Sequence, residues 1–332
     1  MQRWRVMCRQ VGVLGALCLA ALSLATGVAR AEPPGLRMLV AAGPGSGWDQ
    51  TARNLAEAMQ QAGVVSRVQF DNRAGSGGLA GLAQFVTAAG IDGPSLLVGG
   101  AGLVGSVALN RPAFNLGMVT PVARLTTEYM VVVVPPSSPL HHLKDLLDHL
   151  REAPGTTALG GGPAGSADHL LALLIGAQAG LDTTRLQYRA YDDGGAEQSA
   201  VLSGQVAAVV AGQGEYAEQI RAGKLRALAV SSAARIDGIA TLREQGMDVE
   251  FGNWRGVFGP PGATAQERDQ LVAMVRKALD SPVWRATVHR LGWVSAPLYG
   301  DDFRQQVELE SARAERAYAP APATATGSAP QR

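Results

Sequence analysis

The chain has 332 residues, 47% of them hydrophobic and 5% aromatic, with 41 glycines and a formal net charge of +1. That is length enough for two ordinary domains with a sizeable core. A Gly-, Ala-, Val- and Leu-rich body without a long polar tract excludes a disordered chain, and the lack of a basic run argues against a nucleic-acid partner.

The first 31 residues differ from the rest. Arg3, Arg5 and Arg9 form a basic start, Val11 to Ala25 an apolar stretch, and Ala29-Arg30-Ala31 a small-x-small cleavage site. The expectation is a signal peptide over 1–31, with Glu32 as the new N-terminus. Its removal takes four arginines and no acid, so the net charge moves from +1 to −3. Cys8 and Cys18 both lie in this segment. The mature chain is thus expected to hold no disulfide, thiolate metal site or cysteine nucleophile. Leu17 stands before Cys18 where lipidation would favour a small residue.

In the mature chain, strand-like and helical stretches alternate. Leu36 to Ala42 reads as a buried strand, and Trp48 to Ala62 as a helix with Ala52, Leu55, Ala56 and Met59 on one face. Val64 to Phe70 reads as a strand, Gly78 to Ala89 as a helix and Ser95 to Val98 as a strand. Val119 to Pro135 is long and β-rich. Helices follow at His142 to Arg151 and Ser166 to Ala179, the second after a short strand at Thr156 to Leu159. Leu186 to Tyr191, Val206 to Ala211 and Arg226 to Ser231 read as strands separated by helices. Phe251 to Phe258 is extended, and Thr264 to Leu291 and Asp302 to Tyr318 are helical. The Ala/Pro/Thr/Ser tail, 320–332, is expected to be disordered. This alternation predicts an α/β fold with parallel sheets and helices on both faces. If the two long β segments cross between domains, domain 1 is 36–130 plus 256–319 and domain 2 is 131–255. The cleft between them is the expected ligand site.

Three glycine-rich loops each follow a strand and open a helix: Gly43 to Asp49, Asn72 to Gly78 and Gly160 to Asp168. Glycine lets backbone approach a ligand, and a helix N-terminus offers unpaired N–H groups and a partial positive charge. The combination is an anion site built from backbone, to which Ser46 and Ser166 add hydroxyls. The alternative at each loop is a plain strand end followed by a Ser or Asp helix cap. Gly75-x-Gly77-x-x-Ala80, with Asp92 downstream, approaches a dinucleotide fingerprint but follows the second strand, not the first. Ala74-x-Ser76-x-Gly78 is only a loose nucleophile elbow. His141, His142 and His149 read as a solvated helix face, not a metal site. His169 sits in the first turn after the third loop, where packing and ligand contact are both open. Trp254 either lines the cleft or packs. Arg255 is suited to grip a ligand carboxylate or a protein acid. Tyr129, Tyr191 and Tyr216 fall near strand ends, where a phenol reaches either a ligand or the domain surface.

The loop Gly-Pro-Gly-Ser-Gly-Trp-Asp at 43–49 resembles the first loop of the substrate-binding proteins of tripartite tricarboxylate transporters, the Bug/TctC family. Asn-Arg-Ala-Gly-Ser-Gly-Gly at 72–78 and Gly-Gly-Gly-Pro-Ala-Gly-Ser-Ala-Asp-His at 160–169 are similar to the second and third loops. The likeness continues through 188–210, 212–232 and Asn-Trp-Arg-Gly-Val-Phe-Gly-Pro-Pro-Gly at 253–262. It implies a two-domain periplasmic-binding-protein (Venus flytrap, type II-like) fold, a periplasmic location, no catalysis and no cofactor or metal. The implied contacts fall on Gly45, Ser46, Asp49, Gly165 and Ser166. Trp48, Gly77, Gly78, Gly102, His169 and Tyr191 complete the candidate set of ligand-binding residues, together with Tyr129, Glu215 and Trp254, which lie in stretches of tricarboxylate-type appearance. The implied ligand is a small carboxylate, with a citrate-like di- or tricarboxylate favoured. The implied partners are the membrane permease subunits, with the receptor a monomer. The alternatives are a ligand-sensing receptor of the same fold, acting on a membrane signalling protein, and an exported enzyme. The enzyme lacks an evident nucleophile or acid–base pair.

Overall fold

The structure, a computed structural model, describes residues 33–88, 93–192 and 194–319. The expected signal peptide with Cys8 and Cys18, Asp92, and the tail from 320 lie outside the described residues. Two sheets organise the rest. The chain lays down β1 (Leu36–Val40), β2 (Val68–Asn72), β3 (Ser95–Gly100) and β4 (Thr120–Thr127) in the first sheet. It then builds β5 (Met130–Val134), β6 (Ala158–Gly161), β7 (Gln187–Ala190), β8 (Ala208–Gly212) and β9 (Arg226–Val230) in the second. Finally β10 (Arg255–Gly259) and β11 (Val294–Tyr299) return to the first, giving the orders β11-β4-β10-β3-β1-β2 and β7-β6-β8-β5-β9.

The sheets are mixed, which corrects the expectation of parallel ones. β1 pairs β2 and β3 in parallel, but β10 runs antiparallel to both β3 and β4. In the second sheet β5 runs antiparallel to β8 and β9. The antiparallel strands adjoin the crossings: β5 is the first strand after the chain leaves the first sheet, and β10 the first after it returns. The two crossings lie side by side. Glu128 and Asn253 exchange backbone hydrogen bonds of 3.2 and 2.8 Å, and Tyr129 bridges Gly252.

The helices are α1 (Gly47–Gln61), α2 (Leu79–Thr87), α3 (Ala101–Asn110), α4 (Leu143–Glu152), α5 (Ala167–Gln178), α6 (Gly194–Leu202), α7 (Gln213–Arg221), α8 (Ala265–Leu279), α9 (Pro282–Arg290) and α10 (Gly300–Ala317). The single helix expected over 264–291 is two. Ser281 caps α9 by accepting from the Trp284 amide, and Pro282 occupies its first position, which a continuing helix would not tolerate. Amphipathic α4 buries Leu143, Leu146, Leu147 and Leu150. Trp254, Phe258 and Phe303 form an aromatic cluster at the return crossing, with the Trp254 and Phe303 rings edge to face at 5.3 Å.

α3 brings the first lobe against the second. A Cβ placed on Gly105 would stand 2.5 Å from the Gly165 carbonyl oxygen. Ser106, one residue on, donates to that same oxygen at 3.5 Å. Backbone cannot move aside as a flexible side chain can, so Gly105→Ala is expected to cost about 1–3 kcal/mol of stability. Denaturant unfolding measures this; an unchanged midpoint would mean that the α3 contact yields freely.

Candidate functional site

The first and third loops end in the same local structure. Ser46 caps α1, its Oγ accepting from the Asp49 amide at 3.3 Å, and Ser166 caps α5 by accepting from the His169 amide at 3.3 Å. Gly45 and Gly165 take φ of +81° and +84°, which turn the chain sharply just before each cap. The two helix starts, one from each lobe, border a cavity of about 470 Å³, within the usual range for small-molecule sites. The first two amides of each helix, those of Gly47, Trp48, Ala167 and Asp168, belong to residues on its wall. These amides find no acceptor among the described residues. Gly77, Gly78 and Gly102 close the first-lobe side around Trp48. A Cβ on Gly78 would stand 2.8 Å from the Trp48 ring, so only glycine lets the indole lie flat there.

Two charged residues are among those lining this cavity, Arg255 from the first lobe and Asp168 from the second. Arg255 Nη2 donates to Glu128 at 3.3 Å, and its guanidinium lies 5.0 Å from the Trp293 ring centre. Its Nη1 is buried and finds no acceptor among the described residues. Asp168 Oδ2 accepts from the Gly162 amide at 2.8 Å and from Ser166 Oγ at 3.4 Å. Burial pushes its carboxyl up to about 6.

Asp49 is the counterpart of Asp168 in the first lobe, with the opposite outcome. It is 3% exposed and accepts from the Gly45 amide at 2.8 Å, Arg53 Nε at 2.9 Å and Asn72 Nδ2 at 2.9 Å. Burial alone would raise its pKa, but the hydrogen bonds from Arg53, Gly45 and Asn72 outweigh burial and hold it below the ordinary value. Asp49 therefore fastens the loop and is not among the residues lining the cavity. Gly45 and Gly165 likewise shape the turns without lining the cavity.

Trp254, His169, Tyr191, Tyr129 and Glu215 also lie off the cavity lining. Trp254 is 1% exposed, packs on Phe303 and donates through Nε1 to Glu310. Its bulk is spent on the core behind the crossing. His169 stacks on Tyr188 at 4.2 Å, meets Tyr318 edge-on at 5.2 Å and accepts from the Gly165 amide through Nδ1. Burial lowers its pKa to about 4, so the ring is neutral near pH 7. Tyr191 packs over β6, where a Cβ on Gly160 would meet its ring at 3.3 Å. Tyr129 lies in the crossing itself. Glu215 sits near Glu128 at the start of α7, both beside Gly212. Asp168, Ser106 and Asn253 line the cavity without being among the candidate contacts, and so does Arg255, for which a ligand carboxylate is one of two partners the sequence allows. For both charged residues a sequence signal exists: Asp168 closes the third glycine loop, and Arg255 is a side chain with two eligible partners.

The carboxyls of this region hold protons unusually well. Glu197 is buried, accepts from Tyr216 Oη at 2.8 Å and is pushed to about 7, chiefly by burial. Glu215 is an exposed residue, but its carboxyl end turns in against Gly212, where the protein around it, and then the charge of Glu128, push it to about 7. In an unfolded chain such groups titrate near about 4. The folded chain thus binds more protons between these values, and the stability they contribute is full below about pH 4 and lost as pH rises through 6 and 7. The thermal midpoint is expected to fall between about pH 5 and pH 8. Glu197→Gln, which keeps an acceptor for Tyr216, is expected to remove part of that fall. A wild-type midpoint that climbs over the interval would contradict this account.

Comparison with known proteins agrees with this architecture. The sequence profile of the "Tripartite tricarboxylate transporter family receptor" matches residues 49–317. A curated relative is the "UPF0065 protein in tcbD-tcbE intergenic region" of Pseudomonas sp. strain P51. It is 28% identical over 280 residues, covering 80% of this chain and 81% of the relative. Among solved structures, a TctC solute-binding protein from Polaromonas superposes with a TM-score of 0.72 at 22% identity, over 86% of this chain and 97% of that one. MatC from Rhodopseudomonas palustris, solved with bound malate, superposes with a TM-score of 0.67 at 24% identity, over 86% and 100%. The shared fold is that of two-domain periplasmic binding proteins, and with the profile spanning most of its length this chain belongs to the tripartite tricarboxylate transporter receptor family.

Proposed function

We propose that this protein captures a small di- or tricarboxylate in the cavity between its lobes and delivers it to the membrane permease of a tripartite tricarboxylate transporter. The observation that carries the reading is the set of four unpaired amides at two opposed helix starts, on residues of one cavity wall beside Arg255. Helix N-termini favour anions through aligned peptide dipoles and free N–H groups. Because the two helices come from different lobes, an anion touching both is gripped best when the lobes close on it. Ligand then favours the closed form by the difference in its affinity for the two. The malate bound by MatC supports a carboxylate of this size.

On this reading the lobes correspond to 36–130 plus 256–319 and to 131–255. The protein acts in the periplasm as a monomer after cleavage near Ala31. It binds and releases its ligand unchanged, without a cofactor.

Titration calorimetry on the chain from Glu32 onward, freed of carried-over ligand by unfolding and refolding, tests the proposal. One carboxylate is expected to bind tightly with 1:1 stoichiometry. Arg255→Gln is expected to weaken it roughly 10–150-fold, the worth of one charge-assisted hydrogen bond. No heat from any di- or tricarboxylate would end the carboxylate reading, and an unchanged affinity in Arg255→Gln would remove that side chain from the site.

A further inference from the structure

Asp49 and Asp168 occupy the same local position: each stands in the first turn of a helix that follows a glycine loop, and each accepts from a loop glycine amide at 2.8 Å. Asp49 is saturated, with Arg53 and Asn72 taking up its remaining capacity away from the cavity. Asp168 has no arginine or asparagine. Its two hydrogen bonds both go to Oδ2, and Oδ1 accepts nothing among the described residues. A loop pin alone would need only the Oδ2 contacts. The residue nevertheless lines the cavity, as does Arg255 in the facing lobe.

These two charges impose a chemical demand on whatever sits between them. Arg255 offers donors and favours an acid. An ionised Asp168 has only acceptors to offer and repels an acid unless the same molecule brings a donor to meet it. A carboxylate without such a donor would leave Asp168 desolvated and unanswered, and an unmet buried acceptor discriminates strongly between close analogues.

We infer that Asp168 is a specificity-determining residue: through its free Oδ1 it accepts a hydrogen bond from a hydroxyl or ammonium group on the ligand, so the cleft selects hydroxy- or amino-substituted carboxylates over unsubstituted ones of the same skeleton. The inference rests on the carboxylate reading above and narrows it. The shared chemistry is a donor on the carbon chain of an acid; hydroxyl and ammonium are its two sources.

Matched acids test it by calorimetry on the full mature chain: succinate against malate and aspartate, glutarate against 2-hydroxyglutarate and glutamate, and tricarballylate against citrate. In the series that binds, the hydroxy or amino acid is expected to bind at least about 10-fold more tightly than its unsubstituted partner. Which of the two wins identifies the donor. Asp168→Asn, which presents an amide donor beside the ligand in place of a free acceptor, is expected to bring that ratio close to one. Unsubstituted acids binding as tightly as their partners in the wild type would overturn the inference while leaving the carboxylate reading intact. So would a ratio unchanged in Asp168→Asn, which would reduce Asp168 to a loop pin. No binding by any acid in the three series would fell the carboxylate reading and this inference together. The wild-type ratio decides the matter even if the variant fails to fold.

Discussion

A carboxylate withdrawn from water has to be answered by donors, and much of this molecule's site follows from how Asp49 is answered. Its oxygens collect an amide from the glycine loop, a guanidinium from one turn further along α1 and a side-chain amide from the end of β2. The loop, the first turns of α1 and the end of β2, 23 residues further on, are thereby held at one point. Ser46 and Trp48 can then face the cavity because the residue next to them has turned its charge inward. An Asp at this position strengthens the helix start through the dipole, but its larger effect is to fix the loop backbone whose amides are left free.

The second constraint is steric. Where α3 meets the third loop, and where Gly78 meets Trp48, there is no room for a single methyl group. Close approach of backbone to backbone lets amides, which have a fixed direction, form the walls. Side-chain walls would be longer and would lose more rotamer freedom when a ligand arrived. The outcome is a cavity whose shape is set mainly by main chain.

Much of this was legible in the sequence. The glycine loops announced themselves by composition and by the helix periodicity that follows each one. Their serines could be read as caps because Ser before an apolar repeat has few other uses. α3 was missed: Ala-Gly-Leu-Val-Gly-Ser-Val-Ala-Leu is apolar on nearly every side, so it shows no polar face, and its cap is Gly100 with no side chain to signal a start. β11 was missed for the opposite reason, since it is a largely exposed edge strand interrupted by Pro297. For Trp254 and His169 the sequence leaves packing and ligand contact both open, because aromatic and imidazole groups near loops serve either. Which face of a strand or helix turns to the core depends on partners far away in sequence, here Phe303, Glu310, Tyr188 and Tyr318. The same holds for Asp168 against Asp49: the two loops look alike locally, and only Asn72 and Arg53 separate the saturated carboxylate from the open one.

The last helix carries a mechanical consequence. α10 is rooted in the first lobe through Phe303, supports the return crossing where Glu310 accepts from Trp254, and ends beside Tyr318, whose hydroxyl lies 3.2 Å from His169 Nδ1 at the start of α5. One rod therefore spans from the core of one lobe to the cavity-side helix of the other. A hinge made of two crossing strands alone would swing freely about them. With α10 attached, the lobes are joined a third time, and any rotation of one on the other has to slide or part the Tyr318–His169 contact.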